Sequence, residues 1–395
     1  MMMFKLNNVI QNYAWGSHTS LSSLFGFDNP NNEPQAELWM GAHPNGCSRL
    51  DELDTSLADY ITNDAKNVLG DYSANRYGQL PYLFKVLATQ TPLSIQVHPN
   101  KRNSELGFER ENAQGIEFTA ANRNYKDPNH KPELVYAITE YKAMNGFREF
   151  ETIIALFDEV NIEALAEDVN AFKASPNALG LKTLFTTLLT LAGDKQKQAL
   201  AQLKANFGKP NLSDKAKQAL DYSEHFCKLY PNDNGLFAPL FLNVVELQPG
   251  EAMFLHAETP HAYVQGTALE VMASSDNVLR AGLTPKHIDV EELVSNVRFE
   301  PILESELLTE PMVREGHLHF PVPVDDFRFD VLEAKQTKQS VYVRSAEIVF
   351  CVEGEVHLDT ADKQLTLKAG ESAFIPFDIE QYQYCGTGLL ARVSN

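Results

Sequence analysis

Apolar and polar positions change period twice along the chain, and those changes divide it. From Phe4 to about Phe150, short apolar runs are separated by Asn, Gly and Pro, and Pro81-Tyr82-Leu83-Phe84-Lys85-Val86-Leu87 is the clearest of them. Runs bounded in this way read as strands of a sheet-rich region with a few helices. Between about Glu151 and Tyr230 the period becomes helical: Leu181, Leu184, Phe185 and Leu188 fall at i, i+3, i+4 and i+7, and Leu200, Leu203 and Phe207 repeat the spacing. Asp194 and Ser213 are the expected N-caps, with Gly180, Gly193 and Gly208 as punctuation. From Phe241 strand character returns, as Phe241 to Leu247, a Pro249-Gly250-Glu251 turn, then Ala252 to His256. Several short strands of this kind imply a barrel or a sandwich.

The carboxy-terminal part carries a weak echo of that last region. Leu367 to Pro376 matches Leu247 to His256 at its Leu, Gly, Glu and Phe positions, and in the same register His261 falls opposite Gln381 and Tyr263 opposite Gln383. If the two are copies of one β unit, the second has lost its histidine.

The stretch Leu93 to Lys101 concentrates candidate chemistry. Read as a strand ending at Pro99, it carries Ser94, Gln96 and His98 on one face and Leu93, Ile95 and Val97 on the other. Glu133, in His130-Lys131-Pro132-Glu133, and His261, in Pro260-His261-Ala262-Tyr263, are its plausible companions. Two imidazoles, a carboxylate and an amide oxygen make a mixed N/O set suited to zinc or another divalent first-row ion.

Composition narrows the class. The chain has 395 residues, 44% of them hydrophobic, which exceeds what one core usually supports, so two or three domains are expected. A net charge of −20 argues against nucleic-acid binding, so an anionic ligand must meet a local basic pocket. Cys47, Cys227, Cys351 and Cys385 show no paired spacing, the amino terminus does not read as a signal peptide, and no window is apolar enough to span a membrane. A cytoplasmic protein without a membrane partner is the expectation.

Five segments together resemble the type I mannose-6-phosphate isomerases: Gln11 to Gly16, Glu37 to Pro44, Leu93 to Lys101, Tyr125 to Glu133 and Pro260 to Lys286. The resemblance runs from about residue 4 to 290. It implies a cupin-type β-barrel or jelly roll with a helical domain and a smaller carboxy-terminal β domain. The implied boundaries are 1–150 and 236–310 for the catalytic cupin domain, 151–235 for the helical insert, and 311–395 for a cupin-like domain without a metal site. It further implies one zinc per chain, held by Gln96, His98, Glu133 and His261, and interconversion of mannose 6-phosphate and fructose 6-phosphate through a cis-enediol, supplying mannose metabolism and sugar-nucleotide precursors. The partner is then a small-molecule sugar phosphate and the chain a monomer or weak oligomer.

Arg280 matches the family's active-site arginine; because guanidinium stays protonated, charge stabilisation or phosphate contact suits it better than a base role. Lys131, beside Glu133, is the candidate for proton transfer. Ser94, Lys101, Glu270, Asp276 and Lys286 are candidate substrate contacts, and Tyr263 and Trp15 candidate pocket walls. His43 and His130 are candidates for hydrogen bonds behind the site, and the remaining histidines read as structural or surface residues. Two other readings keep the barrel: an Fe(II) oxygenase, against which the extra ligand Gln96 weighs, and a sugar-binding cupin without turnover.

Overall fold

The computed structural model describes residues 2–314 and 316–395. The run after Pro81 becomes the strand Tyr82–Thr89, buried along its whole length. It pairs antiparallel with Glu37–Met40 on one side and with His261–Ala273 on the other. His261–Ala273 is the hub of a ten-stranded sheet, because it also pairs with Ile95–Val97, Glu133–Ala137 and Tyr141–Phe147. Its two halves serve different neighbours, and a register shift between Tyr263 and Gln265 marks the change. Gly266 follows at φ +121, where a Cβ would lie 2.3 Å from the Glu140 carbonyl oxygen, so the shift needs glycine.

A nine-stranded sheet takes Phe4–Lys5 from the amino terminus and its other strands from Met312 onward. Among the described residues neither sheet closes into a ring. Helix and strand occupy comparable shares of the chain, more helix than a mainly β expectation allows. Beyond the expected helical region lie short helices such as Leu57–Asn63, Ala65–Leu69 and Asp71–Arg76, too brief to leave a periodic signal, and the longer Lys101–Ala113. No described helix is long and apolar enough to cross a membrane.

The helical region behaves as its period predicts: Leu181, Leu184, Phe185 and Leu188 are buried on Ala178–Leu189, and Ser213 caps Asp214–Cys227 by accepting the Ala216 N–H. Two details differ. Asp194 lies inside the first turn of Gly193–Lys204, with Ala192 at the N-cap and no side-chain cap bond. Gly180 lies inside its helix, which Asn177 opens by accepting the Leu179 and Gly180 N–H groups. There a Cβ would sit 2.0 Å from the Ser175 carbonyl oxygen, so the glycine serves close approach, not termination.

One apolar core joins these helices to the sheet. Ile95, Val97, Ala262, Val264 and Leu279 belong to the same buried cluster as Phe185, Leu220 and Phe237. Fully burying each large side chain contributes about 1.5–3 kcal/mol. The consequence is positional: the helices cover the apolar faces of three neighbouring strands and leave the opposite faces for polar side chains. The carboxy-terminal echo extends to the fold, since Ala252–Leu255 with His261–Ala273, and Ser372–Ile375 with Gln381–Ser394, follow one constant offset.

Candidate metal centre

The expected strand shortens to Ile95–Val97, yet its alternation holds. Gln96 stands directly opposite Arg280 on one side and His261 on the other, and His261 stands opposite Asn145. Directly opposed residues of antiparallel strands project from the same face, so Arg280, Gln96, His261 and Asn145 form a row across four strands. Glu133 enters from the start of Glu133–Ala137, opposite Met272. It is buried, as are His98 and His261.

These three side chains converge. His98 Nε2 lies 3.5 Å from Glu133 Oε1 and His261 Nε2 3.4 Å from Glu133 Oε2, and the ligand atoms of all three lie within 4.8 Å of one another. The far side of each ring is already committed. His98 Nδ1 is 2.7 Å from the Asn277 carbonyl oxygen and His261 Nδ1 is 2.9 Å from that of Thr259. A carbonyl only accepts, so each neutral ring carries its proton on Nδ1 and turns the Nε2 lone pair towards Glu133. His98 Nε2 is buried and has no hydrogen-bond partner among the described residues.

Protonation states reinforce the geometry. Burial, aided by the Lys131 ammonium, lowers His98 to about 4, so its ring is neutral at pH 7. Burial alone would raise Glu133, but Lys131, 2.9 Å from Oε1, and the neighbouring imidazoles hold it well below the usual carboxylate range. Imidazole nitrogens and a carboxylate are the donor set a divalent first-row ion takes. A buried, unpaired imidazole nitrogen costs about 1–3 kcal/mol, a cost that a bound cation offsets.

Gln96, Lys131, Glu133, His261, Tyr263 and Glu270 line one cavity of about 70 Å³ here. Tyr263 Oη lies 2.9 Å from Glu270 and 3.2 Å from Glu133, and Glu270 pairs with Lys85 at 3.1 Å. Burial pushes Tyr263 and Glu270 up, whereas Glu270 and Glu37 outweigh the burial of Lys85 and raise it. The Trp39 indole donates to Glu37 and its ring lies 5.2 Å from the Lys85 ammonium. Sequence reasoning missed Lys85, Glu37 and Trp39. The signal was a lysine inside the apolar run Leu83 to Leu87, because a long charged side chain is buried only when paired.

The other candidates lie outside that cavity. Ser94 is half-buried beside the short strand, and Trp15 stacks on Tyr13 at 5.9 Å. His43 Nε2 lies 3.3 Å from Asp276; burial raises the Asp276 carboxyl, but His43 together with the Lys131 and Lys85 ammoniums brings it below the usual carboxylate range. Arg280 is half-buried and, among the described residues, makes no ion pair; its charge, with burial, lowers the exposed Lys286. Lys101 opens the helix Lys101–Ala113 and gives its ammonium to the Pro128 carbonyl and Asn129 Oδ1. It lines a separate cavity of about 420 Å³ with Arg76 and His130, the latter 2.9 Å from Asp326.

The comparisons with known proteins agree over the whole chain. Family models match for the phosphomannose isomerase type I catalytic domain at residues 3–150, its helical insertion domain at 156–242, and the mannose-6-phosphate isomerase cupin domain at 316–395. The mannose-6-phosphate isomerases of Salmonella typhimurium and Escherichia coli are 53% and 51% identical, each over 100% of both chains. The human enzyme is 33% identical over 94% of this chain and 93% of its own. A crystal structure of the Salmonella enzyme bound to its substrate and zinc is 53% identical and superposes with a TM-score of 0.94 over 100% of both chains. With relatives this similar over its full length, the chain belongs to the type I phosphomannose isomerase family.

Proposed function

We propose that this chain interconverts mannose 6-phosphate and fructose 6-phosphate, with one zinc held by Gln96, His98, Glu133 and His261. The observation that carries the reading is the pair of Nε2 lone pairs aimed at Glu133, one of them orphaned in the protein interior. The relative with zinc and substrate bound supports it. Zinc, when bound, supplies a Lewis acid beside a sugar carbonyl. Iron also accepts two histidines and a carboxylate, but the added amide of Gln96 and the zinc-bound relatives favour zinc.

The reaction moves a proton between C2 and C1 through a cis-enediol, so one group must take and return it while another meets the developing negative charge. Lys131 is our candidate for the proton, and Arg280, whose guanidinium stays protonated, for the charge or the phosphate. A cavity of about 70 Å³ is too small for a whole sugar phosphate, so the phosphate end extends towards Arg280 and Lys286. Ser94, Glu270, Asp276, Tyr263, Trp15 and Lys101 complete the contacts we assign to the sugar phosphate. In this reading 1–150 and 236–310 form one cupin-type jelly roll around the site, 151–235 is its helical insert, and 311–395 is a second cupin-like unit without a metal. A coupled isomerase assay on zinc-replete protein, run alongside metal analysis, tests the proposal; absent turnover, or turnover that follows iron instead of zinc, overturns it.

A further inference from the structure

Asn277 is wholly buried behind the metal centre, and its side-chain amide is fully used. Oδ1 accepts from the Lys126 N–H at 2.7 Å and the Asp127 N–H at 3.2 Å. Nδ2 donates to the Asp127 carbonyl at 2.7 Å and the Asn129 carbonyl at 2.9 Å. One amide therefore does for this loop what strand pairing does elsewhere, satisfying backbone groups on both sides of the turn. Asp127 returns the contact: its carboxylate accepts from Ser275 Oγ at 2.9 Å and the Asp276 N–H at 2.8 Å. The main-chain carbonyl of Asn277 itself accepts from His98 Nδ1.

The chain connectivity gives these bonds their meaning. The riveted loop runs directly into Lys131 and Glu133, while Asn277 lies three residues before Arg280. We infer that Asn277 is a positioning residue of the metal centre, holding in one frame the carbonyl that orients His98 and the loop that delivers Glu133. The inference rests on the zinc reading above. Metal ligation tolerates little displacement of its donors, and partners behind the ligands are worth roughly 10- to 100-fold in metal affinity.

Two variants test it in the full chain. Asn277→Ala removes every side-chain bond of Asn277, the 3.4 Å contact of Nδ2 with Asp127 Oδ1 included. Asn277→Asp keeps the shape and both accepted bonds but sets a carboxylate oxygen against two carbonyls, 3.4 Å from Asp127 Oδ1. The control is Asn206→Ala, which deletes a buried amide bonded to the Val160 and Gln202 carbonyls in the helical region. Zinc affinity by chelator competition and the visible spectrum of the cobalt-substituted protein are the readouts. Both Asn277 variants are expected to bind zinc roughly 10- to 100-fold more weakly with shifted cobalt bands, while Asn206→Ala lowers the Tm and leaves both readouts unchanged. If Asn277→Ala does not fold, Asn277→Asp decides. Wild-type zinc affinity and cobalt spectrum in a folded Asn277 variant overturn the inference, and wild-type protein that takes up no zinc overturns the zinc reading beneath it.

Discussion

Each of the two large sheets buries a cluster of charges, and the two clusters are finished differently. In the nine-stranded sheet Arg392 donates to both oxygens of Glu347, at 2.9 and 2.5 Å, and to Asp330 at 3.3 Å. Tyr382 adds a bond to Glu347 at 3.2 Å, and His319 Nδ1 lies 2.8 Å from Asp330. Acceptors and donors balance, which is how a buried ionic network avoids an uncompensated charge. In the ten-stranded sheet His98 Nε2 has no partner and Arg280 no ion pair among the described residues. Burial of charge is common to both; the cluster around Glu133 differs in leaving a buried imidazole nitrogen, His98 Nε2, without a hydrogen bond among the described residues.

The contrast breaks most visibly with one deletion on each side. His261→Ala removes a ligand and is expected to lose zinc and reduce turnover to background in the coupled assay. Glu347→Ala leaves the buried Arg392 guanidinium with only Asp330, at 3.3 Å, and is expected to cost about 3–5 kcal/mol of stability, read by urea denaturation, with zinc content of the folded protein unchanged. A Glu347→Ala protein that keeps its stability but loses zinc would erase the distinction between the clusters.

The two arginines sharpen it next. Arg280→Lys should keep zinc yet lower kcat/KM by roughly 10²-fold, because lysine cannot present the planar donor fork to charge developing on the substrate. The same swap at Arg392 disrupts a bidentate pair to Glu347 and should lower Tm while sparing kcat/KM of the folded enzyme. Equal catalytic losses at both positions would mean that Arg280 acts through the fold and not on the substrate.

What the sequence made legible follows from range. The helical stripe and the Gly250 turn are local patterns, and each lies where its spacing puts it, whereas the metal-ligand candidates come from separated strands and only the family resemblance grouped them. Lys85 escaped because its partners Glu37 and Glu270 come from other strands, and no periodicity says which strand lies beside which. Lys101 drew attention by its nearness to His98. Asn100, however, caps a helix there by accepting the Asn103 N–H, and the chain carries the lysine off to Pro128 and Asn129. An Asn after a proline is a readable helix start. Asn277 escaped for the same reason as Lys85, since its bonds span the gap from residues 126–129 to 277.

Protonation gives a smaller effect of defined sign. In zinc-free protein His98 titrates at about 4, against 6.5 for an ordinary histidine. Because the folded value is the lower one, the unfolded chain takes up the proton first, so stability falls as pH drops below 6.5 and this group stops contributing to the loss near 4. At pH 5 the loss amounts to about 2 kcal/mol. Glu347 acts in the opposite sense, since burial holds its carboxyl above the usual value and acid favours its folded form. Urea denaturation of zinc-free wild type and His98→Gln at pH 7 and pH 5 should therefore show the wild type losing about 2 kcal/mol more than the variant. Parallel losses would detach the orphaned imidazole from the acid sensitivity of the fold.

The smallest effect is expected at Gln381, where the echo invites a larger one. The constant offset sets Gln381 opposite His261, so Gln381→His restores the imidazole that the second unit lacks. Its surroundings are not those of His261. Gln381 is exposed at the first position of its strand and stands opposite Tyr342, with no counterpart to Gln96. The buried carboxylates of that sheet are already engaged, Glu347 by Arg392 and Tyr382, Asp330 by Arg392 and His319. One histidine therefore meets no convergent donors, and a surface change of this kind shifts stability within about 0.5 kcal/mol. Metal analysis of Gln381→His should return the zinc content and turnover of the wild type. A second zinc in the variant would mean that the carboxy-terminal cluster is not saturated after all, and loss of the first would mean that the metal centre depends on the sheet that this comparison sets apart from it.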